Sequence, residues 1–253
     1  NIARLLDDGT IPKGLPYLVM EYVEGSPIIE FANHQRLSIN QRLELFRQVC
    51  SAITFAHQRL IIHRDIKASN ILVTKEGVPK LLDFGIAKLI DPDGNHSILT
   101  AKGIRMMTPE SASPEQIQGL QVTTLSDVYS LGVVLYELLT GQSPYKLKGY
   151  GIFEIEEVIC HSEPIKPREL IKNGLRIDDL ELFRDSLDQL VLKAMDKIPA
   201  NRFVSAEQFS EEIRKYLEHS SDFILQIELA EAYRQIAKLQ QNQGNVKLAK
   251  ENY

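Results

Sequence analysis

The feature that most constrains this chain is a pair of polar loops, each beside a short apolar run, within residues 63–85. Asp65 and Asn70 precede the first apolar run, and Asp83 follows the second. A turn signal at Gly77 separates the two runs, so they are expected to pair as a small hairpin. Such a hairpin places Asn70 at the start of one strand and Asp83 at the end of the other. The two side chains are therefore expected to converge on one metal ion.

The amino-acid sequences of the two loops resemble those of a known family. Residues 63–70 read His-Arg-Asp-Ile-Lys-Ala-Ser-Asn, and residues 83–85 read Asp-Phe-Gly. Asp-Phe-Gly alone is a weak signal, but the two motifs at this separation resemble the catalytic and metal-binding loops of protein kinases. Lys67 and Thr108, the latter before a proline, resemble Ser/Thr kinases rather than tyrosine kinases. The run 108–116 is most similar to bacterial members.

The resemblance implies a role for each polar residue of the two motifs. Asp65 is expected to accept the proton of the attacking hydroxyl, and Lys67 to neutralise charge that develops near the γ-phosphate of ATP. Asn70 and Asp83 are expected to hold Mg²⁺, or Mn²⁺ in its place, since hard cations prefer oxygen ligands.

A nucleotide-binding segment is implied upstream of these loops. Residues 19–25 read Val-Met-Glu-Tyr-Val-Glu-Gly, which resembles the hinge between the two lobes of a kinase. By resemblance, Met20 is the gatekeeper, and the backbone of Glu21 and Val23 hydrogen-bonds adenine. Leu72 is expected to form the floor under the ring. Without the downstream motifs, a plain core strand would be the better interpretation of these residues.

A polar stretch after Asp83 resembles the kinase activation segment. It ends at Ser113-Pro114-Glu115, where the family has Ala-Pro-Glu. Ser97 and Thr100 are candidate phosphorylation sites in it, and unmodified loop hydroxyls are the alternative. Arg64 is expected to pair with a phosphate there, because a guanidinium recognises phosphate oxygens in a bidentate manner.

Other residues are expected to be structural rather than catalytic. By resemblance, Asp127 hydrogen-bonds the backbone of the catalytic loop, and Arg202 forms a buried ion pair with Glu115. The alternative for Arg202 is a surface side chain that contributes almost nothing to stability. His63 and Phe84 are also expected to have structural roles.

The hydrophobic patterns predict a mainly α (α+β) fold. The resemblance implies a kinase-like C-terminal lobe with remnant N-lobe strands, followed by an α-helical hairpin. Short strands are expected over 2–6 and, as a buried strand, over 16–23. A capping box opens an amphipathic helix over 38–57, and the helix over 124–140 is apolar nearly all round. Gly141 is expected to cap the end of the latter.

Two domains are expected. Residues 1–219 resemble a partial kinase domain without the glycine-rich loop, the strand lysine and helix C, all of which the family carries upstream of the hinge. Residues 220–253 resemble the start of a tetratricopeptide repeat region, with a generic amphipathic hairpin as the alternative. The chain opens at Asn1 in a strand-like run and closes at Tyr253 in a helical pattern. We therefore expect a fragment of a longer protein, inactive by itself.

Composition limits the possible partners and location. The net charge of −5 gives no sign of a nucleic-acid surface, and no apolar stretch is long enough for a membrane span. Cys50 and Cys160 lie in apolar helical patterns, so free buried thiols in a reducing cytoplasm are expected.

Together these features predict a Ser/Thr protein kinase that transfers the γ-phosphate of ATP to protein hydroxyls, with ATP and Mg²⁺ as cofactors. Its partners would be protein substrates and proteins that bind the helical repeats. The alternative is a pseudokinase or a repeat-containing scaffold. Degraded catalytic motifs would favour that alternative, and the motifs in this chain are intact.

Overall fold

The computed structural model describes residues 1–11, 16–83, 109–170 and 185–219 of the 253-residue chain. The chain divides into two compact units, residues 1–213 and residues 214–253. The described part is mostly helical with a few short strands, which confirms the predicted mainly α (α+β) class. The predicted helical hairpin within 220–253 lies outside the described residues.

The elements follow one another in a strand-rich N-terminal third and a helical remainder. The strands are β1 (Leu5–Thr10), β2 (Pro16–Met20), β3 (Gly25–Pro27), β4 (Ile71–Thr74) and β5 (Pro79–Leu81). The helices are α1 (Ile28–His34), α2 (Ile39–His57), α3 (Pro114–Ile117), α4 (Thr124–Thr140), α5 (Ile152–His161), α6 (Pro167–Leu170), α7 (Asp185–Ala194) and α8 (206–219). No helix in the described ranges is long and apolar enough to cross a membrane.

The N-terminal hairpin differs from the prediction. β1 begins at Leu5 rather than at residue 2, and it continues through Gly9, which pairs with Tyr17 of the antiparallel β2. β2 ends at Met20 rather than at Val23, and its side chains are not buried, since Leu18 is 39% exposed. A two-stranded sheet buries a face only against another layer, so the prediction of a buried strand was wrong.

The second sheet places the two polar loops beside each other. Its order is β3-β4-β5, and β4 and β5 form the predicted antiparallel hairpin. Gly77 makes the turn with a φ of 80°, and its N–H donates to the carbonyl of Thr74 at 2.9 Å. β4 starts directly after Asn70, and β5 ends two residues before Asp83.

α4 is the central helix of the lobe, and it has the bounds that the sequence predicts. Nearly every side chain along it is buried. Thr123 caps its start, and Gly141 ends it with a φ of 70° and an N–H that donates to the carbonyl of Glu137. α2 also begins as predicted, with a capping box between Ser38 and Gln41.

A buried arginine links three helices of the lobe. Arg42 is 7% exposed, and its guanidinium donates to the Leu37 carbonyl at 3.0 Å and to the Leu138 carbonyl at 2.6 Å. It also donates to Asn33 Oδ1 at 2.8 Å. Arg42 thereby holds α1, α2 and α4 together.

Gly132 allows α4 to approach the end of α7. A Cβ at this position would lie 2.8 Å from Met195 Cγ and 2.9 Å from Ala194 Cβ. Alanine is favoured over glycine in a helix by about 1 kcal/mol, but overpacking costs about 1–3 kcal/mol. Because Ala194 Cβ cannot move without its backbone, we expect Gly132→Ala to lower the free energy of unfolding by about 1–2 kcal/mol in urea denaturation.

The control for this substitution is Gly151→Ala. Gly151 has a φ of −77°, and the nearest atom to an added Cβ is Glu154 Oε2 at 3.5 Å, an ordinary contact. Gly151 is the N-cap of α5, where alanine is less favourable than glycine, so this variant is expected to lose about 0.5 kcal/mol, less than Gly132→Ala. Equal stability of the Gly132 and Gly151 variants would contradict the packing account.

Candidate active site

Three of the predicted site residues lie together in the loop between α2 and β4. Lys67 Nζ is 3.0 Å from Asp65 Oδ2. Asn70 lies at the end of a 3-10 turn, and its Nδ2 donates to the Asp65 carbonyl at 3.0 Å and to Asp65 Oδ2 at 3.2 Å. The Asp65 carboxylate is therefore held between an ammonium group and an amide, and its side chain is still 23% exposed.

The loop that carries Asp83 is joined to this loop through Leu82. The Leu82 N–H donates to the Asn70 carbonyl at 2.8 Å, and the Leu82 carbonyl lies 3.0 Å from His63 Nε2. Asp83 follows with an exposed side chain and a φ of 45°, in the left-handed region that non-glycine residues rarely adopt. The strand pairing and these two contacts hold the Asp83 backbone beside Asn70.

His63 is fully buried between the two loops. Its Nε2 must carry the proton, because the Leu82 carbonyl can only accept. Its Nδ1 then accepts from the Asp65 N–H at 3.3 Å. Burial lowers the pKa of His63 against the opposing effect of the Asp127 charge. A neutral imidazole of fixed tautomer thus fits these contacts at neutral pH.

Asp127 anchors the catalytic loop to α4. It is 1% exposed, and its carboxylate accepts from the His63 N–H at 2.8 Å and from the Arg64 N–H at 2.9 Å. His57 Nε2 lies 2.8 Å from the same carboxylate. The first turn of a helix favours a negative charge through the helix dipole. These contacts are those that the resemblance implies for Asp127.

The predicted hinge residues lie between the two sheets. Met20 is the last residue of β2, and Val23 lies in the segment that leads to β3. The Glu21 N–H already donates to the Arg4 carbonyl at 2.9 Å, so this N–H is engaged within the chain. Leu72 is half-buried in the middle of β4.

Arg202 and Glu115 form a buried, bidentate ion pair. Nη1 lies 2.7 Å from Oε1 and Nη2 lies 2.8 Å from Oε2, and the residues are 3% and 5% exposed. Burial alone would raise the pKa of Glu115, but hydrogen bonds from Arg202 and Ser126 and the Arg202 charge outweigh it and lower the pKa. Arg202 also donates to the Leu125 carbonyl at 2.8 Å, which ties α3 to the start of α4.

Four predicted site residues lie outside the described residues, namely Phe84, Ser97, Thr100 and Thr108. Arg64, the proposed phosphate ligand, is described, and its side chain is half-buried.

The structure adds contacts that the sequence reasoning missed. Glu21 accepts from Lys80 Nζ at 2.8 Å, so its carboxylate faces β5. That bond and a further one from Arg4 lower the pKa of Glu21. Gln116 donates to the Arg64 carbonyl at 2.8 Å. No local signal marks either contact, because the two residues of each pair are 59 and 52 positions apart in the sequence.

The donor set of the two loops fits a nucleotide-bound Mg²⁺. Both contacts of the Asn70 amide to Asp65 use Nδ2, so Oδ1 is the atom of this side chain that could ligate a metal ion. Asp83 adds an exposed carboxylate. In the described ranges no three His, Cys, Asp or Glu side chains cluster as a metal site. Mg²⁺ usually takes one or two protein ligands and completes its shell with substrate phosphates and water.

Comparisons with known proteins agree with this geometry. The profile of the protein kinase domain family matches residues 2–219. Serine/threonine-protein kinase PknB of Mycobacterium tuberculosis is 38% identical over 195 residues, which cover 77% of this chain and 29% of that protein. PknB of Mycobacterium leprae is 36% identical over 212 residues, covering 82% and 32%. A probable serine/threonine-protein kinase of Clostridium perfringens is 35% identical over 218 residues, covering 85% and 29%. The chain thus spans about a third or less of the length of these relatives.

The buried ion pair gives a prediction about stability. Glu115→Gln leaves the Arg202 charge buried without its partner, so the free energy of unfolding should fall by about 3–5 kcal/mol. The matched control is Glu44→Gln, since Glu44 pairs with Arg47 at 3.0 Å but is 57% exposed. That change should cost about 0–1 kcal/mol. Similar losses in the two variants, measured by urea denaturation, would contradict the account.

The same pair predicts a pH dependence. Because the pKa of Glu115 lies below its ordinary value of 4.5 in the folded state, the pair stabilises fully above that pH. Its contribution is lost as the pH falls through the lowered pKa, where the carboxylate is protonated. The stability difference between the wild type and Glu115→Gln should therefore shrink below about pH 4.5. A difference that grows on acidification would overturn this assignment.

Proposed function

The chain belongs to the protein kinase family, and we propose that the full-length protein transfers the γ-phosphate of ATP to serine or threonine hydroxyls of protein substrates. The observation that carries the proposal is the grouping of Asp65, Lys67 and Asn70, with the Asp83 loop hydrogen-bonded beside them. The names of the relatives support Ser/Thr specificity.

In this proposal Asp65 accepts the proton of the substrate hydroxyl. Lys67 and Asn70 hold its carboxylate in place. Phosphoryl transfer requires a base in a fixed position. Lys67 is 25% exposed beside it, where its charge can neutralise the transferring phosphoryl group. Positioning and charge neutralisation supply most of the rate enhancement in this class of reaction.

Asn70 and Asp83 would hold the metal ion, which we propose to be Mg²⁺, with Mn²⁺ as a substitute. Neutralisation of the charge on the ATP phosphates is the chemistry that a bound ion would supply. The chain's own contribution is to keep Asn70 Oδ1 and the Asp83 carboxylate at the ends of two paired strands.

The nucleotide base would lie against the hinge. We propose that adenine bonds to the Glu21 carbonyl and to the backbone of Val23, next to Met20 and above Leu72. The Glu21 side chain supports this arrangement, because its bond to Lys80 turns the carboxylate towards β5.

Phosphorylation of Ser97 or Thr100 would regulate the enzyme, with Arg64 as the ligand of the phosphate. In this scheme Phe84 would have a structural role, and Thr108 would mark Ser/Thr specificity. Mass spectrometry of the purified protein after incubation with Mg-ATP tests the two phosphorylation sites.

Further proposals concern the remainder of the protein. We propose a kinase domain over residues 1–219 and the start of a tetratricopeptide region over 220–253, which would bind protein partners. Cys50 and Cys160 are buried and not disulfide-bonded, which supports a cytoplasmic location for the kinase domain.

The base assignment predicts the effect of a single substitution. Asp65→Asn in the full-length protein keeps the shape of the side chain but removes its basicity, so kcat should fall by about 10²–10⁴-fold. The control is Asp7→Asn, because Asp7 is exposed on β1. Radiolabelled phosphate transfer to a protein substrate measures both. Wild-type activity of the Asp65 variant would show that the assignment is wrong.

The metal assignment predicts a separable effect on ATP. Asp83→Asn removes a charged oxygen ligand, so Mg-ATP should bind at least tenfold more weakly, while ATP without metal should bind as it does to the wild type. Calorimetry with and without Mg²⁺ measures this difference. Equal loss of both affinities would point to a folding defect instead.

A further inference from the structure

A buried glutamine contacts the backbone directly before Asp65. Gln116 is 2% exposed in α3, and its Nε2 donates to the Arg64 carbonyl at 2.8 Å. Its Oε1 accepts from the Ser113 N–H at 3.1 Å and from Ser113 Oγ at 3.2 Å. Both ends of the amide are thus used, and its orientation is fixed.

The backbone that Gln116 contacts is in an uncommon conformation. Arg64 has a φ of 67°, in the left-handed region, where a non-glycine residue persists only when its surroundings hold it. On one side, Asp127 accepts from the Arg64 N–H at 2.9 Å. On the other side lies the Arg64–Asp65 peptide, whose carbonyl bonds to Gln116 and whose N–H donates to His63 Nδ1 at 3.3 Å.

We propose that Gln116 is a positioning residue for phosphoryl transfer: it fixes the peptide plane that carries Asp65 and thereby the direction of the Asp65 carboxylate. This inference rests on the proposed function of Asp65 as the base. Gln116 belongs to the helix that begins where the activation segment ends, and Glu115 beside it is fixed by Arg202. The end of that segment is therefore coupled directly to the backbone of the catalytic loop.

The chemistry of the contact requires an amide. The side chain must donate to a carbonyl and accept from Ser113 at the same time, and a glutamine does both. An ionised glutamate of the same shape can only accept, and a methionine of similar volume has no donor. Gln116→Glu and Gln116→Met therefore both remove the hydrogen bond to the Arg64 carbonyl. The first substitution introduces a negative charge, and the second does not.

The kinetic test uses single-turnover phosphate transfer by the full-length protein at saturating Mg-ATP. Both Gln116 variants should lower the single-turnover rate by about 10- to 100-fold, as a small misplacement of a catalytic group does. The Kd for Mg-ATP should change much less than the rate, since among the described residues the hinge and Asp83 have no hydrogen bond to Gln116 and only Asn70 is bonded to Asp65. Gln118→Glu and Gln118→Met, at the half-buried end of the same helix, should keep the wild-type rate.

Amide hydrogen exchange of the same variants gives a readout that needs no activity. In Gln116→Met, exchange should rise at residues 63–70, while α4 keeps its wild-type protection. Unchanged exchange in this loop would overturn the proposal. So would a rate loss that matches the lost folded fraction, or a rise in exchange over the whole lobe, because either shows a general structural role.

The two measurements distinguish a failure of the Gln116 proposal from a failure of the proposed kinase activity. If the wild-type protein transfers no phosphate, the proposed kinase activity fails, and the proposal that Gln116 positions a base fails with it, whereas loop exchange still shows whether Gln116 holds the loop. If the wild type is active and the Gln116 variants match it in rate, only the positioning role fails.

Discussion

The arrangement of the site depends on one buried carboxylate at the start of α4. Asp127 accepts from two successive backbone N–H groups, those of His63 and Arg64. A loop cannot bury such groups without partners, and Asp127 supplies them from the most buried helix of the lobe. The left-handed backbone at Arg64 is stable in this setting, and the side chain of the next residue, Asp65, is 23% exposed.

Hydrogen bonds from three further side chains connect the elements around this loop. Arg202 joins Glu115 of α3 to the Leu125 carbonyl of α4, and Gln116 joins α3 to the catalytic loop. His63 connects that loop to the residue before Asp83. Each connection is a hydrogen bond from a buried side chain, which would be costly to leave without a partner. The polar residues of the site therefore depend on one another for their positions.

The parts of the fold that the sequence predicted well are those set by local chemistry. The capping box at Ser38 and the glycine at 141 fix the ends of α2 and α4, and Gly77 fixes the β4–β5 turn. The grouping of Asp65 with Asn70 follows from their short separation.

The parts that it did not predict depend on distant neighbours. The extent and exposure of β1 and β2 are set by strand pairing and by what covers the sheet, neither of which hydrophobicity alone reveals. The Gln116 contact spans 52 residues, and no pattern near either end encodes it.

The central claim is tested most directly by a crystal structure of the full-length protein with Mg²⁺ and a non-hydrolysable ATP analogue. We expect the ion to lie about 2.0–2.1 Å from Asn70 Oδ1 and from an Asp83 oxygen, with the Asp65 carboxylate facing the γ-phosphate. An ion bound elsewhere, with Asp83 turned away from Asn70, would contradict it.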